Sequence, residues 1–347
     1  MDFKVGEVEI NNNCITLIAE AGVNHNGNLE SAFKLASAAK ETGAQIVKFQ
    51  TYKAEKLSSQ QARKFWNKTG DQTKFQVDTY SSLDSFGYSD YKELSQFCKD
   101  IGIEFMSTPF DLEAVHMLFK LGVKAFKIAS CDITNWLLIE EICKTGLPIF
   151  LSTGASNFQE IRDCVNLINS YGNDLCIMHC VLSYPTEVKY ANLLSIPFLS
   201  QNFPGIIMGF SDHTKGNIAP LASVPLGARV IEKHFTLKKD SDTLGDHWFA
   251  ADTNDFKVLF EESNKILAAL GKFERKVLEC EEVAREQARR SLFYDENVEI
   301  GESLRKSQVI ALRPGTGISP REIDSFIGRN LKKKKFKGEM LSESDFT

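Results

Sequence analysis

Two segments, IIMGFSDHT (206–214) and VIEKHFTL (230–237), decide how this chain is read. Each opens as a β-branched, apolar run of strand length and closes on an imidazole, His213 in the first and His234 in the second. A strand that finishes on a polar side chain delivers it to one end of a sheet, and two such strands in succession deliver their histidines to the same end. Alternation also places Ser211 on the face of His213 and Glu232 on the face of His234.

The same kind of run recurs along the chain. Short β-branched and aromatic stretches stand at 16–22, 46–52, 104–110, 125–130, 149–154, 176–181, 206–213 and 230–236, and amphipathic segments such as 29–42, 89–101, 112–121 and 158–171 lie between them. Eight strand–helix units over about 270 residues predict an α/β fold, a (β/α)8 TIM barrel spanning residues 1–275, with a doubly wound open sheet as the alternative. Residues 53–88 break the rhythm as a long polar insertion after the second strand, where barrel enzymes carry a substrate-covering loop. A closing helix is expected at 255–270. The charged run that follows reads as a linker at 276–287, and 288–347 as a small separate domain of short strands and turns containing SLFYD, QVIAL and RPGTGIS. The run KKKKFK at 332–337 reads as a solvated surface.

Composition narrows the function classes. The 347 residues are 43% hydrophobic and 25% charged with a net charge of -5, which argues against chain-wide attraction to nucleic acid or to anionic membrane. No apolar run approaches the roughly 20 residues of a membrane span, and the first residues show no signal-peptide pattern, so a cytoplasmic protein is expected. Eight scattered cysteines, Cys14, Cys98, Cys131, Cys143, Cys164, Cys176, Cys180 and Cys280, form no CxxC pair and are expected reduced.

Barrels of this kind collect chemistry at the C-terminal ends of their strands, and here every strand supplies polar groups there. They are Glu20; Lys48 and Gln50; Ser107 and Thr108; Lys127, Ser130 and Asp132; Ser152 and Thr153; His179; Ser211, Asp212 and His213; Glu232 and His234. Buried charge is costly unless paired or used, so a full ring of such residues points to a site. Two imidazoles with Glu232 nearby suit a divalent ion that keeps open positions for water and substrate. Lys48 and Lys127, with the hydroxyls of Ser130 and Ser211, suit an anion pocket for phosphate or carboxylate. Phosphate, carbonyl and metal together suggest aldol-type carbon–carbon bond chemistry.

The motifs AEAGVNHNG (19–27), VKFQTYKAEKL (47–57), FMSTPFD (105–111), FKIAS (126–130), LSTGAS (151–156), GFSDHT (209–214), IEKHFTL (231–237), GDHWFA (245–250) and RPGTGIS (313–319) resemble, in order, those of the N-acetylneuraminate (sialic acid) synthase family, which includes legionaminic and pseudaminic acid synthases. The resemblance implies a barrel followed by a SAF (antifreeze-like) domain. It also implies condensation of phosphoenolpyruvate with an open-chain N-acylated hexosamine, giving a nonulosonic acid and releasing phosphate by C–O cleavage. His213 and His234 match the ligands of Mn2+ or Mg2+. Lys48, Lys127, Ser130 and Ser211 match phosphoenolpyruvate-binding positions, and Glu20 matches a carboxylate that acts as acid, base or water-positioner. Gln50, Tyr184, Glu232 and Asp246 fall where sugar or metal-water contacts are expected, and Thr108, a polar strand end, is also expected to bind substrate. The resemblance further implies a domain-swapped homodimer in which Arg313 reaches the sugar in the partner's barrel.

Three departures stand out. Ser130-Cys131-Asp132 replaces a Ser-Gly-Glu, shortening a catalytic-type carboxylate by one methylene; Leu182 and Ser183 replace Asn or Thr; and GDHWFAAD departs from the usual segment. Two other readings keep the fold: a synthase acting on a sugar phosphate, and a carbohydrate-binding homologue with weakened catalysis. The first lacks a second arginine-rich phosphate cradle, and the intact metal and anion positions oppose the second.

Overall fold

The structure, a computed structural model, describes residues 2–66, 73–239 and 245–347. The chain divides into two compact units, Met1–Gly271 and Lys272–Thr347. No helix among the described residues is long and apolar enough to cross a membrane.

The first unit opens with an antiparallel hairpin of β1 (Phe3–Val5) and β2 (Val8–Ile10). Eight parallel strands follow: β3 (Thr16–Gly22), β4 (Ile46–Thr51), β5 (Glu104–Pro109), β6 (Phe126–Ile128), β7 (Ile149–Ser152), β8 (Leu175–Cys180), β9 (Ile207–Asp212) and β10 (Val230–His234). Their ladder runs β5-β4-β3-β10-β9-β8-β7-β6, and its end strands β5 and β6 lie side by side, so the sheet curves into a barrel. The alternating helices start and stop where the sequence signals it. Asn28 caps Leu29–Glu41, Asp111 caps Leu112–Leu121, and Asn157 with Glu160 closes a capping box on Phe158–Tyr171.

Strand parity sorts every residue. Leu17, Ala19, Val47, Phe49, Phe105, Ile128, Leu151, Ile177 and Phe210 point outward into the large core beneath the helices. Ile18, Ile46, Met106, Phe150, Cys176, Met178, Ile207 and Val230 point inward, and the hairpin residues Phe3, Val5 and Ile10 pack against them. The Phe3 and Phe150 rings meet edge-on at 5.9 Å. Each fully buried side chain of this size contributes roughly 1.5–3 kcal/mol, so the lower barrel is a solid apolar plug. The hairpin left no clear signal in the sequence, because two three-residue strands are too short to establish a period.

Parity also corrects the ring of polar strand ends. Ser107, His179 and Asp212 face away from the barrel axis: Ser107 bonds Thr51 at 2.7 Å, His179 bonds the Ala191 carbonyl at 2.8 Å, and Asp212 pairs with Lys233. The strand expected at 125–130 ends at Ile128, and Ser130–Asp132 forms a 3-10 turn instead.

In the second unit β11 (Ser291–Tyr294) pairs antiparallel with β12 (Val309–Leu312) over a core that includes Leu292, Tyr294, Val298, Phe326 and Phe346. The residues expected to form the linker, 276–287, include a 3-10 turn at Glu279–Glu281 and most of the short helix Glu282–Ala288. The lysine run at the surface is matched by acids: Lys333 and Lys335 with Asp345, Lys334 with Glu299 and Lys337 with Asp295. Lys332, Lys333, Lys334 and Lys337 are exposed and fit a solvated face, whereas Lys335 departs from that expectation because it is buried against Asp345.

Gly209 marks how tightly the barrel interior is filled. A Cβ there would lie 2.8 Å from the Val230 carbonyl oxygen and 3.0 Å from Met178 Cγ. Backbone cannot yield as a side chain does, so Gly209→Ala should cost about 1–3 kcal/mol. Urea unfolding should show a lowered midpoint; an unchanged midpoint would mean that the interior has room to spare.

Candidate active site at the barrel mouth

Above the apolar plug the inward positions turn polar. Glu20 of β3, Lys48 of β4, Thr108 of β5, Lys127 of β6, Ser152 of β7, Cys180 of β8, Ser211 of β9 and Glu232 of β10 occupy the next layer, where they line one cavity of about 350 Å³. Lys48 Nζ lies 2.8 Å from Glu20 Oε2, donates to Thr108 Oγ1 at 2.9 Å and stands 3.8 Å from Glu232 Oε2. Lys127 Nζ donates to Ser152 Oγ at 2.7 Å and stands 3.8 Å from Glu232 Oε1. Ser211 donates to the same Glu232 oxygen at 3.0 Å, and Gln50 donates to Glu20 Oε1 at 2.8 Å.

These contacts set the charges. Burial disfavours both ammoniums. For Lys48 the carboxylates of Glu20 and Glu232 outweigh it and hold the pKa above the usual lysine range, whereas for Lys127 burial wins and pushes it down. Glu232 is held below the usual carboxylate range, because Lys127, Lys48 and the Ser211 hydroxyl outweigh its own burial. Asp132 is pushed up by burial, against hydrogen bonds from Asn135 and Cys131.

The two histidines sit one layer higher. Their ring centroids are 5.5 Å apart, and the Tyr184 ring packs 4.2 Å from that of His213. His213 Nδ1 lies 2.8 Å from the Val181 carbonyl oxygen, which leaves Nε2 for another partner. His234 Nδ1 is buried without an aligned hydrogen bond, 3.2 Å from Asp246 Oδ2. Asn24 sets that carboxylate's loop, accepting from the Asp246 amide at 2.8 Å while donating to the Phe235 carbonyl at 2.9 Å.

The donor set fits a divalent cation. Two cavity-facing imidazoles, His213 with Nδ1 at the Val181 carbonyl and His234 with Nδ1 beside the Asp246 carboxylate, leave their other ring nitrogens for such an ion, with room for water and substrate. Among the described residues no group of three His, Cys, Asp or Glu side chains is arranged to close around a metal.

Thirteen of the fourteen site residues read from the sequence line this cavity: Glu20, Lys48, Gln50, Thr108, Lys127, Ser130, Asp132, Tyr184, Ser211, His213, Glu232, His234 and Asp246. Arg313, the fourteenth, belongs to the second unit, exposed beside Pro314. The sequence reading missed the apolar wall. Phe65, Trp66 and Tyr80 from the 53–88 insertion, with Tyr52, Phe110, Trp248 and Phe249, line the upper cavity in a chain of ring contacts, Phe65–Trp66 at 5.0 Å and Trp66–Tyr80 at 5.7 Å among them. Within that insertion 67–72 lies outside the described residues. Aromatics scattered through a polar, aperiodic stretch carry no pattern, and the only available signal was the length of the insertion.

Fold and mouth together define a barrel enzyme with an ion-paired layer beneath two open imidazoles. Residues 35–275 match the NeuB family and residues 289–347 the SAF domain. The chain belongs to the NeuB family. It is 37% identical to the N,N'-diacetyllegionaminic acid synthase of Legionella pneumophila, over 91% of this chain and 90% of that one. It is 32% identical to the pseudaminic acid synthase of Helicobacter pylori, over 91% and 93%. The crystal structure of the N-acetylneuraminic acid synthetase of Leptospira borgpetersenii, in complex with citrate, superposes with a TM-score of 0.74 at 31% identity, covering 82% of this chain and 95% of that one.

The Asn24 loop rests on a histidine with a measurable signature. The His25 ring stacks on Phe86 at 4.0 Å and accepts the Gly27 amide at Nδ1, and burial pushes its pKa down to about 4. The folded protein therefore keeps His25 neutral where the unfolded chain, near pKa 6.5, binds a proton. Stability should fall by about 3 kcal/mol from this group alone as pH drops from 6.5 to 4, and none above 6.5. Denaturation across that window should show a shallower pH slope for His25→Asn; identical slopes would mean that the ring is charged in the fold.

Proposed function

We propose that this chain is a nonulosonic acid synthase that joins phosphoenolpyruvate to the open-chain form of an N-acylated hexosamine and releases phosphate by C–O cleavage. The observation that carries the reading is the ion-paired layer at the barrel mouth. Lys48 and Lys127 are already matched by Glu20 and Glu232, so a polyanionic substrate requires added positive charge directly above, where the two imidazoles stand. The names of the relatives, synthases of legionaminic, pseudaminic and N-acetylneuraminic acids, support it.

A divalent cation, Mn2+ or Mg2+, held by His213 and His234 would polarise the aldehyde of the acceptor. Lys48 and Lys127, with Ser130 and Ser211, hold the phosphate and carboxylate of phosphoenolpyruvate, aiming its C3 upward at the aldehyde carbon. As the C–C bond forms, Asp132 gives a proton to the aldehyde oxygen, a role its raised pKa suits. Glu20, oriented by Gln50, takes a proton from the water that adds at C2. The C2–O bond to phosphate then breaks, and the new C2 hydroxyl gives its proton to the departing phosphate, leaving a 2-keto acid. Thr108, Tyr184, Glu232 and Asp246 position substrate and water.

An unphosphorylated acceptor suits the wall. Among the described lining residues Lys48 and Lys127 are the only lysine or arginine side chains, and the upper cavity is aromatic. That disfavours a sugar phosphate, which needs a second cationic cradle.

The test is phosphoenolpyruvate carrying 18O in its bridging position, supplied with a panel of N-acylated hexosamines. The label should appear in phosphate, and metal-stripped protein should regain turnover with Mn2+. Label in the sugar acid would overturn C–O cleavage, and full turnover by stripped protein would remove the cation.

The reading includes a homodimer with Arg313 serving the partner's barrel, where it would meet an N-acyl or hydroxyl group. Inactive Glu20→Ala and Arg313→Ala proteins, allowed to exchange subunits, should then recover about a quarter of wild-type activity, because half the dimers are mixed and each mixed dimer has one intact site. Exchange confirmed by mass without regained activity would place Arg313 outside the partner's site.

A further inference from the structure

One buried ion pair stands just outside the cavity wall. Asp212 and Lys233 are register partners on β9 and β10, each one residue before a cavity histidine. Parity turns both away from the barrel axis, and both are almost wholly buried. Lys233 Nζ lies 2.5 Å from Asp212 Oδ2 and donates to the Thr214 carbonyl at 2.6 Å, while Asp212 Oδ1 accepts the Thr214 amide at 2.8 Å. The residues before and after His213 are thus clamped to each other and to the residue before His234. The backbone of His213 has one further tie, its carbonyl accepting the Thr186 amide at 3.0 Å.

A buried pair is a weak source of net stability, because desolvation offsets the attraction. What it supplies here is direction. It grips the backbone on both sides of one imidazole and ties it to the strand that carries the other, so the distance between the rings is held from behind the wall.

We infer that Asp212 and Lys233 are positioning residues that set the spacing of His213 and His234 and through it the affinity of the site for a divalent cation. The inference rests on the reading above that these histidines hold such an ion.

The experiment is Mn2+ titration without substrates, following free Mn2+ by electron paramagnetic resonance, on wild type, His213→Ala, Asp212→Asn and Lys233→Arg, with thermal unfolding of each. Wild type should bind and His213→Ala should not. Asp212→Asn and Lys233→Arg should bind about 10- to 100-fold more weakly while still unfolding cooperatively. Co2+ at saturation should show an altered visible absorption band in both, which a purely structural role would not produce. Unchanged Mn2+ affinity in both folded variants overturns the inference alone. Failure of both to yield folded protein assigns the pair to folding and also overturns it. A wild type that binds no Mn2+ removes the cation reading, and this inference with it.

Discussion

Everything at the mouth of this barrel depends on one carboxylate shared by two ammoniums. Glu232 stands 3.8 Å from both Lys48 and Lys127, and all three are nearly out of reach of water. Two like charges buried together repel strongly at low dielectric, and the acid between them offsets that repulsion for both, with Glu20 as a second and nearer partner for Lys48. The remaining polar groups are arranged around that fact: Glu20 takes the other side of Lys48, Ser152 takes Lys127, and Ser211 fixes the Glu232 oxygen that faces Lys127. The layer is neutral in its formal charges and sits on a dry, apolar plug that cannot relax to solvate an intruder.

The barrel was legible because parallel strands buried on both faces must be apolar outward and patterned inward, and that pattern survives in single runs such as 206–213. The inward site residues were legible for the same reason: a charged side chain inside an otherwise hydrophobic strand has few explanations. The reading failed where it used position without parity. Ser107, His179 and Asp212 lie at strand ends yet face the helices, and counting alternate residues from Met106, Met178 and Ile207 would have excluded them.

Other parts carried no local signal. The hairpin that closes the lower barrel is built from two strands of three residues, below the length at which alternation can be distinguished from chance. The aromatic wall is assembled from Tyr52, Phe65, Trp66, Tyr80, Phe110, Trp248 and Phe249, which come from separate stretches of the chain brought together by the closure of the barrel. The Lys233–Asp212 clamp reads in sequence as two ordinary charges in strands, and only the register between β9 and β10 makes them partners.

Among the described residues the hairpin stops the lower end of the barrel and leaves the upper end as its door. With Phe3, Val5 and Ile10 packed into the lower barrel, the lysine layer is the blind end and the imidazoles and aromatic wall stand between it and solvent. Cargo in such a vessel loads and unloads as a queue. On the reading proposed above, the anion at the lysines enters before the acceptor fills the space over it, and phosphate released at the bottom leaves after the product above it. On that reading the order of traffic is set at the end of the barrel farthest from the chemistry, by two short strands packed into its base.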